Sequence, residues 1–288
     1  MNLSQKAKIF FAKTYINTLV FLNADKAGKK SYELFAKPRK GAITPEQKIF
    51  LDTSEQSALA FDGHIIPIYC WKNENANSES VLLAHGWESN ASRWQPLLPY
   101  LQKSGLTIYA LDAPAHGAAA NDAKNKYFSA VQYGLNLREA LKHIQPNFVI
   151  GHSAGGYAVT FALSDQTFTH LEKAILMAPS SDNRSFFNLY LNFMGFNKKV
   201  KMAYYKYVVN SVGDLEYLTG AFLAKKIVVP VHIIHDKTDD VVPFEQSEVL
   251  HNAWKNSTLH VTNAFGHRLR DEKIYEEIAE ALHEGIRS

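Results

Sequence analysis

Apolar positions set the first expectations for this chain. Gln56–Phe61 and His64–Trp71 are short apolar runs on either side of Asp62-Gly63, a pair that favours a hairpin turn. From Ser80 onward, short apolar runs alternate with stretches of helical spacing. Strands are predicted over 80–85, 107–112, 147–150, 171–177, 227–235 and 258–262. Helices are predicted over 94–102, 129–143, 157–163, 244–254 and 271–286, and 73–80 reads as a polar loop. This rhythm predicts an α/β fold: a mostly parallel sheet fed by an N-terminal antiparallel hairpin, with helices on both faces. Ligands of such sheets bind outside the carboxyl ends of the strands.

Two regions depart from the rhythm. Residues 179–224 show helical spacing and many aromatics, among them Phe186, Phe187, Tyr190, Tyr204 and Tyr205. An insertion of about 180–225 at a strand's carboxyl end predicts a helical lid above an apolar pocket. Near the start, Ile9–Ala12 and Tyr15–Leu22 are apolar and follow Lys6 and Lys8, but Lys13 interrupts them. The run is too short and too polar to span a bilayer, so an amphipathic helix packed on the domain is expected. A signal or membrane anchor is the alternative. Polar residues 24–53, with scattered Lys and Pro, read as a surface arm. The expected division is therefore an N-terminal helix and arm over 1–53 and an α/β domain over 54–288.

Composition narrows the function classes. With 288 residues, 46% of them hydrophobic, the chain can bury one large core. The net charge of +3 is spread along the chain, and Lys37-Pro38-Arg39-Lys40 is its longest basic tract, with no interleaved aromatics. Nucleic-acid binding is not expected. The single cysteine, Cys70, cannot form an internal disulfide, and a reducing cytoplasm fits it best. No phosphate-binding glycine loop occurs, so nucleotide binding has no support, and no cofactor is expected. Membrane association is not expected either, and the sequence says nothing of oligomeric state.

Candidate chemistry begins at Gly151-His152-Ser153-Ala154-Gly155-Gly156, between a predicted buried strand and a predicted buried helix. Gly151, Ser153 and Gly155 satisfy G-x-S-x-G in the strand–turn–helix context that holds a serine hydroxyl clear of a sheet. Serine needs a base, and the base needs an orienting carboxylate. The loop after the 227–235 strand offers Asp236, Asp239 and Asp240, with Asp236 a candidate turn cap. Of the histidines, His260 lies within a strand and His251 within a helix, whereas His267 lies on a loop after a strand end. His85 and His116 read as loop-holding residues, and His152 as a side chain directed away from the site. No metal site is expected, because His232 and His235 lie three apart on a strand and point to opposite faces.

From about Asp62 onward the chain resembles the α/β-hydrolase superfamily, in its serine esterase and lipase-like branch. His85-Gly86-Trp87 matches the H-G oxyanion loop, and Asp112-Ala113-Pro114-Ala115-His116-Gly117 the D-x-P-x-H-G turn, with Ala115 where many relatives carry Gly. Residues 151–156 match the nucleophile elbow. Asp239, four residues before Pro243, matches the acid loop, and Gly266-His267 the base loop. The resemblance implies Ser153 as nucleophile, Asp239 as acid, His267 as base, and backbone N–H groups of Trp87 and Ala154 as the oxyanion hole. It implies a carboxylic ester as substrate, cleaved through an acyl-enzyme, and the aromatics of the lid segment make a small, largely apolar one the expectation. A thioester, a ketone-activated carbon–carbon bond and a non-catalytic ligand-binding relative are the alternatives. Serine at 153 argues against the dehalogenase and epoxide-hydrolase branches, which use aspartate there.

Overall fold

The computed structural model describes residues 3–74, 79–122, 126–165 and 167–283. Its strands are β1 (Glu55–Phe61), β2 (His64–Trp71), β3 (Ser80–Ala84), β4 (Thr107–Leu111), β5 (Phe148–His152), β6 (Lys173–Met177), β7 (Val231–Asp236) and β8 (Ser257–Thr262). They form one eight-stranded sheet in the order β1-β2-β4-β3-β5-β6-β7-β8. β2 pairs antiparallel with both β1 and β4, and every other pairing is parallel. The mostly parallel sheet with an antiparallel hairpin at one edge is the expected α/β architecture. At the hairpin turn Asp62 and Gly63 both have positive φ, 50° and 72°, the backbone that an Asp-Gly pair readily adopts.

Helices α1 (Leu3–Leu22), α2 (Ala24–Ala36) and α3 (Pro45–Leu51) precede the sheet. They are followed by α4 (Leu98–Lys103), α5 (Ala130–Ile144), α6 (Ala154–Ser164), α7 (Asn183–Phe193), α8 (Lys198–Val212), α9 (Gly220–Ala224), α10 (Glu245–Ala253) and α11 (Glu272–His283). The expected extension of the last helix to Ile286, and part of the 73–80 loop, lie outside the described residues. Strand periodicity divides the sheet's core into two faces. Leu82 and Ala84 of β3 pack with Tyr133, Val149 and Ala158, whereas Val81 and Leu83 pack with Trp94, Phe148 and Ile278.

The chain separates into two compact units. One is the sheet with its helices, Pro38–Ser181 and Gly220–Ser288. The other unites the chain up to Lys37 with Asp182–Thr219, and so contains α1, α2, α7 and α8. The expected surface arm over 24–53 is therefore corrected. Ala24–Ala36 is a helix of the second unit, started by the Asn23 side chain accepting from the Lys26 N–H. Pro45–Leu51 is a helix of the first, started by a reciprocal Thr44–Gln47 capping box, with Leu51 buried in the sheet unit's core. The polar positions that suggested an arm are caps and exposed helix faces.

Within the helical unit, aromatics fill the interior. Phe35 meets Phe187, Tyr190 and Tyr204 with ring centroids 5.4, 5.0 and 6.4 Å away. Gly28 lets α2 approach α8, because a Cβ there would stand 2.3 Å from the Ala203 carbonyl oxygen. The expectation that α1 is amphipathic also needs correction. Ile16 and Val20 are buried, yet Phe10, Phe11, Phe21 and Leu22 are exposed. Apolar residues occupy both sides of this helix.

Candidate active site

Ser153 stands between β5 and α6, both almost wholly buried. Its backbone has φ 55° and ψ −118°, a strained conformation for a residue with a side chain. Hydrogen bonds from Ser153 N–H to the Met177 carbonyl (2.9 Å) and from Ser180 N–H to the Ser153 carbonyl (3.1 Å) hold it there. The flanking glycines are sterically required. A Cβ on Gly155 would lie 2.1 Å from the Ala84 carbonyl oxygen, and one on Gly151 would lie 2.6 Å from that of Gly155.

Gly86 packs directly on this turn. A Cβ on it would stand 3.0 Å from both Ser153 Cβ and His152 Nδ1. The His85-Gly86-Trp87 loop thus lies against the serine. Ala154 is the first residue of α6, so its N–H has no acceptor within the helix. The loop's shape comes from buried neutral imidazoles. His85 donates from Nδ1 to the Gly86 carbonyl (2.7 Å) and accepts at Nε2 from the Ala113 N–H (3.0 Å). His116 donates to the Pro114 carbonyl (2.8 Å) and accepts from the Glu88 N–H (2.9 Å). Burial lowers both pKa values to about 4, which keeps the rings uncharged in neutral solution. Asp112 ties the same loops together, accepting from Ala91 N–H, Ala118 N–H and the Tyr69 hydroxyl at 2.8, 2.8 and 2.9 Å. Ala115 has φ 64°, which is why glycine suits this position of the D-x-P-x-H-G turn.

The acid and base candidates meet. His267 Nδ1 lies 2.7 Å from Asp239 Oδ2. Only a protonated nitrogen can bond a carboxylate, so Nδ1 carries the hydrogen and neutral His267 keeps its lone pair on Nε2. Asp239 also accepts from His235 Nε2 (3.1 Å) and from the N–H groups of Val241 (2.8 Å) and Val242 (2.9 Å). Burial pushes the Asp239 pKa up. The bonds from His235, His267, Val242 and Val241 outweigh it and hold the carboxyl well below the usual range.

Asp236 is bonded as fully, but to the loop itself. It accepts from Thr238 N–H and Oγ1, Thr262 Oγ1, Ala264 N–H and Phe265 N–H, joining the end of β7 to the segment leading to His267. Neither Asp236 nor Asp240 bonds His267 among the described residues.

Sequence reasoning missed three supports. Buried His235 sits behind Asp239 and contacts the Ser247 hydroxyl at 2.6 Å, and a histidine inside a buried strand was its only signal. His152, expected to point away, instead donates from Nε2 to the His267 carbonyl (2.9 Å), with ring centroids 4.8 Å apart. Burial and the charge of Arg93 keep His152 neutral. Buried Arg93, whose own pKa burial lowers to about 9, donates to the next carbonyl, Arg268 (2.9 Å). Two successive carbonyls of the base loop are thereby held. No hydrogen bond joins Ser153 Oγ to His267 among the described residues.

Elsewhere, one group of three possible metal ligands occurs among the described residues. His232 and His260 both contact Glu277, at 2.8 and 2.5 Å. These are hydrogen-bond spacings between the side chains themselves. His232 and His235 do project to opposite faces of β7, one toward Glu277 and the other toward Asp239.

A family model described as serine aminopeptidase, S33, matches residues 75–220. Monoglyceride lipase from Rattus norvegicus is 23% identical over 127 residues, covering 41% of this chain and 40% of the lipase. Putative methylesterase 13, chloroplastic, from Arabidopsis thaliana is 24% identical over 137 residues, 46% of this chain and 30% of that protein. The matches therefore span less than half the length of either relative. Among solved structures, an esterase from Exiguobacterium antarcticum superposes with a TM-score of 0.57 at 19% identity, covering 81% of this chain and 100% of the esterase. That likeness is one of fold.

Proposed function

We propose that this chain, which belongs to the serine aminopeptidase S33 family of the α/β-hydrolase superfamily, is a serine hydrolase that cleaves small, largely apolar carboxylic esters. The observation that carries the proposal is the 2.7 Å contact between His267 Nδ1 and Asp239 Oδ2. Bonded to Asp239 through Nδ1, the imidazole keeps Nε2 as a proton acceptor, on a loop that His152, the neighbour of Ser153, holds from the elbow.

In this reading Ser153 Oγ attacks the ester carbonyl carbon, and its proton passes to His267 Nε2. Asp239 stabilises the imidazolium. The N–H groups of Trp87 and Ala154 hold the oxyanion, each donor contributing about 3 kcal/mol in comparable sites. His267 then gives the proton to the departing alcohol oxygen, leaving an acyl group on Ser153. A water molecule loses a proton to His267 and attacks the acyl carbon. The carboxylic acid departs as Ser153 regains its hydrogen. A lid role for the insertion after β6 belongs to the same proposal, and rests on its departure from the carboxyl end of a strand.

Fluorophosphonate labelling, with p-nitrophenyl esters of graded acyl length, acyl thioesters and aminoacyl p-nitroanilides as substrates, tests it. Labelling and ester turnover are expected in the parent protein and lost in Ser153→Ala and His267→Ala. Folded protein that neither labels nor turns over any ester would overturn the proposal in favour of a ligand-binding role. Turnover confined to the anilides would make the enzyme a peptidase.

A further inference from the structure

The outward face of α1 has a pattern that neither folding nor the hydrolase reading requires. Ile16 and Val20 are buried, and Ile9, Ala12 and Leu19 pack against the core of the helical unit. Those contacts account for the helix's attachment. On the opposite side Phe10, Phe11, Tyr15, Phe21 and Leu22 are 63, 70, 53, 65 and 82% exposed. At about 100° per residue these five side chains, with exposed Ala7, Thr14 and Thr18 between them, share one arc of roughly 140° that carries no charge. Exposed large apolar residues scattered singly are ordinary. A contiguous stripe on a monomer's surface is not.

Lysines border the stripe on both sides. The same helical spacing puts Lys6 and Lys13 along one edge and Lys8 along the other. Lys199 of α8 adds a further cation, its Nζ standing 4.4 Å from the Phe21 ring centroid. Met202, one turn beyond Lys199, is exposed as well. Four of the unit's five carboxylates pair with other cations. Asp25 pairs with Lys206, Glu33 with Lys29 and Lys30, and Asp182 and Glu216 with Arg184. Among the described residues none of Lys6, Lys8, Lys13 and Lys199 has a carboxylate within 4.0 Å.

The charge is unevenly divided between the two units. Residues 1–37 and 182–219 contain twelve Lys and Arg against five Asp and Glu. The whole chain has 31 against 28, so the sheet unit is net negative and the helical unit strongly positive. An apolar stripe between two rows of cations matches one kind of surface: acyl chains at the level of the stripe and anionic headgroups at the level of the lysines. A second copy of the same face would set lysine rows against lysine rows. No helix of the described residues is long and apolar enough to cross a membrane.

We propose that the outward face of α1 docks this protein on an anionic lipid surface, with Phe10, Phe11, Phe21 and Leu22 entering the interface while Lys6, Lys8, Lys13 and Lys199 contact the headgroups. This revises the expectation that membranes play no part, and it rests on nothing in the catalytic reading.

The test is co-sedimentation of the full chain with vesicles of phosphatidylcholine alone, and with vesicles about one third phosphatidylglycerol. Binding to the mixed vesicles is expected to exceed binding to the neutral ones by about tenfold or more, and to weaken as salt rises. Phe10→Ser/Phe11→Ser/Phe21→Ser should lose the binding. Lys6→Glu/Lys8→Glu/Lys13→Glu should lose the preference for anionic lipid. All six positions are exposed, and thermal melting confirms that each variant is folded. Parent protein left in the supernatant with both vesicles overturns the proposal, as does binding that survives the phenylalanine substitutions. A parent dimer that the phenylalanine variant converts to monomer also overturns it, because a second copy would then be the occupant.

Discussion

The Ser153 end of the sheet and the outer face of α1 invert the same rule in opposite directions. Around Ser153, groups that normally seek water are buried: His85, Asp112, His116, His152, His235 and Asp236. Along α1, groups that normally leave water face it: Phe10, Phe11, Phe21 and Leu22. The buried polar groups are almost all paired, as they must be when an unpaired one costs about 1–3 kcal/mol. The exposed apolar groups touch little among the described residues: Phe10 and Phe11 meet each other edge to face, and Lys199 stands over Phe21. One region is bonded within itself, whereas the other leaves apolar area in water.

The comparison is sharpest within the buried region, between Asp236 and Asp239. Both are fully bonded and both are held ionised, but Asp236 bonds its own loops while Asp239 bonds His267. Ser153→Ala is expected to lower kcat/KM by about four orders of magnitude, and Asp239→Asn by a similar amount, because the amide stabilises the wrong imidazole tautomer. Asp236→Ala should act first on stability, by about 2–4 kcal/mol, since it strands three N–H groups and two hydroxyls. Denaturant midpoints measured beside ester kinetics separate the two. Equal losses of stability in Asp236→Ala and Asp239→Asn would erase the distinction.

His152 lies between these extremes. His152→Ala should reduce kcat by about 10–100-fold through a misplaced base loop, with KM little changed, and His152→Gln should recover part of it by supplying another donor. Failure of the glutamine to recover any activity would assign His152 to packing alone.

Acid should open the closed region. His85 and His116 titrate near pH 4 in the folded chain, against an ordinary value of 6.5. Below 6.5 the unfolded chain takes up protons that the folded one refuses. Their contribution is therefore fully present above pH 6.5 and is lost as pH falls toward 4, by about 1.4 kcal/mol per pH unit for each ring. Urea midpoints across this range should show that slope, and His116→Gln should flatten it. The smallest effect belongs to α1. Phe11→Ser should change the unfolding free energy by no more than about 0.5 kcal/mol, because the ring leaves no core behind. A loss of several kcal/mol would mean that the stripe is structural, and the comparison would collapse.

Most of the sheet was legible from local pattern. Strands buried on both faces read as unbroken apolar runs, and the glycines at 151 and 155 mark backbone approaches too close for a Cβ. Asp239 and His267 could be singled out because their loops follow strand ends and match family motifs. The bond between them could not be seen, since 28 residues separate the two. His152 was misread for the same reason, its partner being the carbonyl of a residue 115 positions away.

The helical unit shows the other limit. Its helices were partly legible, but not that residues before Lys37 fold with residues after Ser181. The strands, the elbow and the residue types able to run acyl transfer follow from local order along the chain, because periodicity and steric demand are local. Which carboxylate bonds His267, what holds the loop that carries it, and which side of α1 is covered emerge only in the folded chain. Those outcomes depend on side chains far apart in the chain meeting in space, and no local pattern encodes which ones meet.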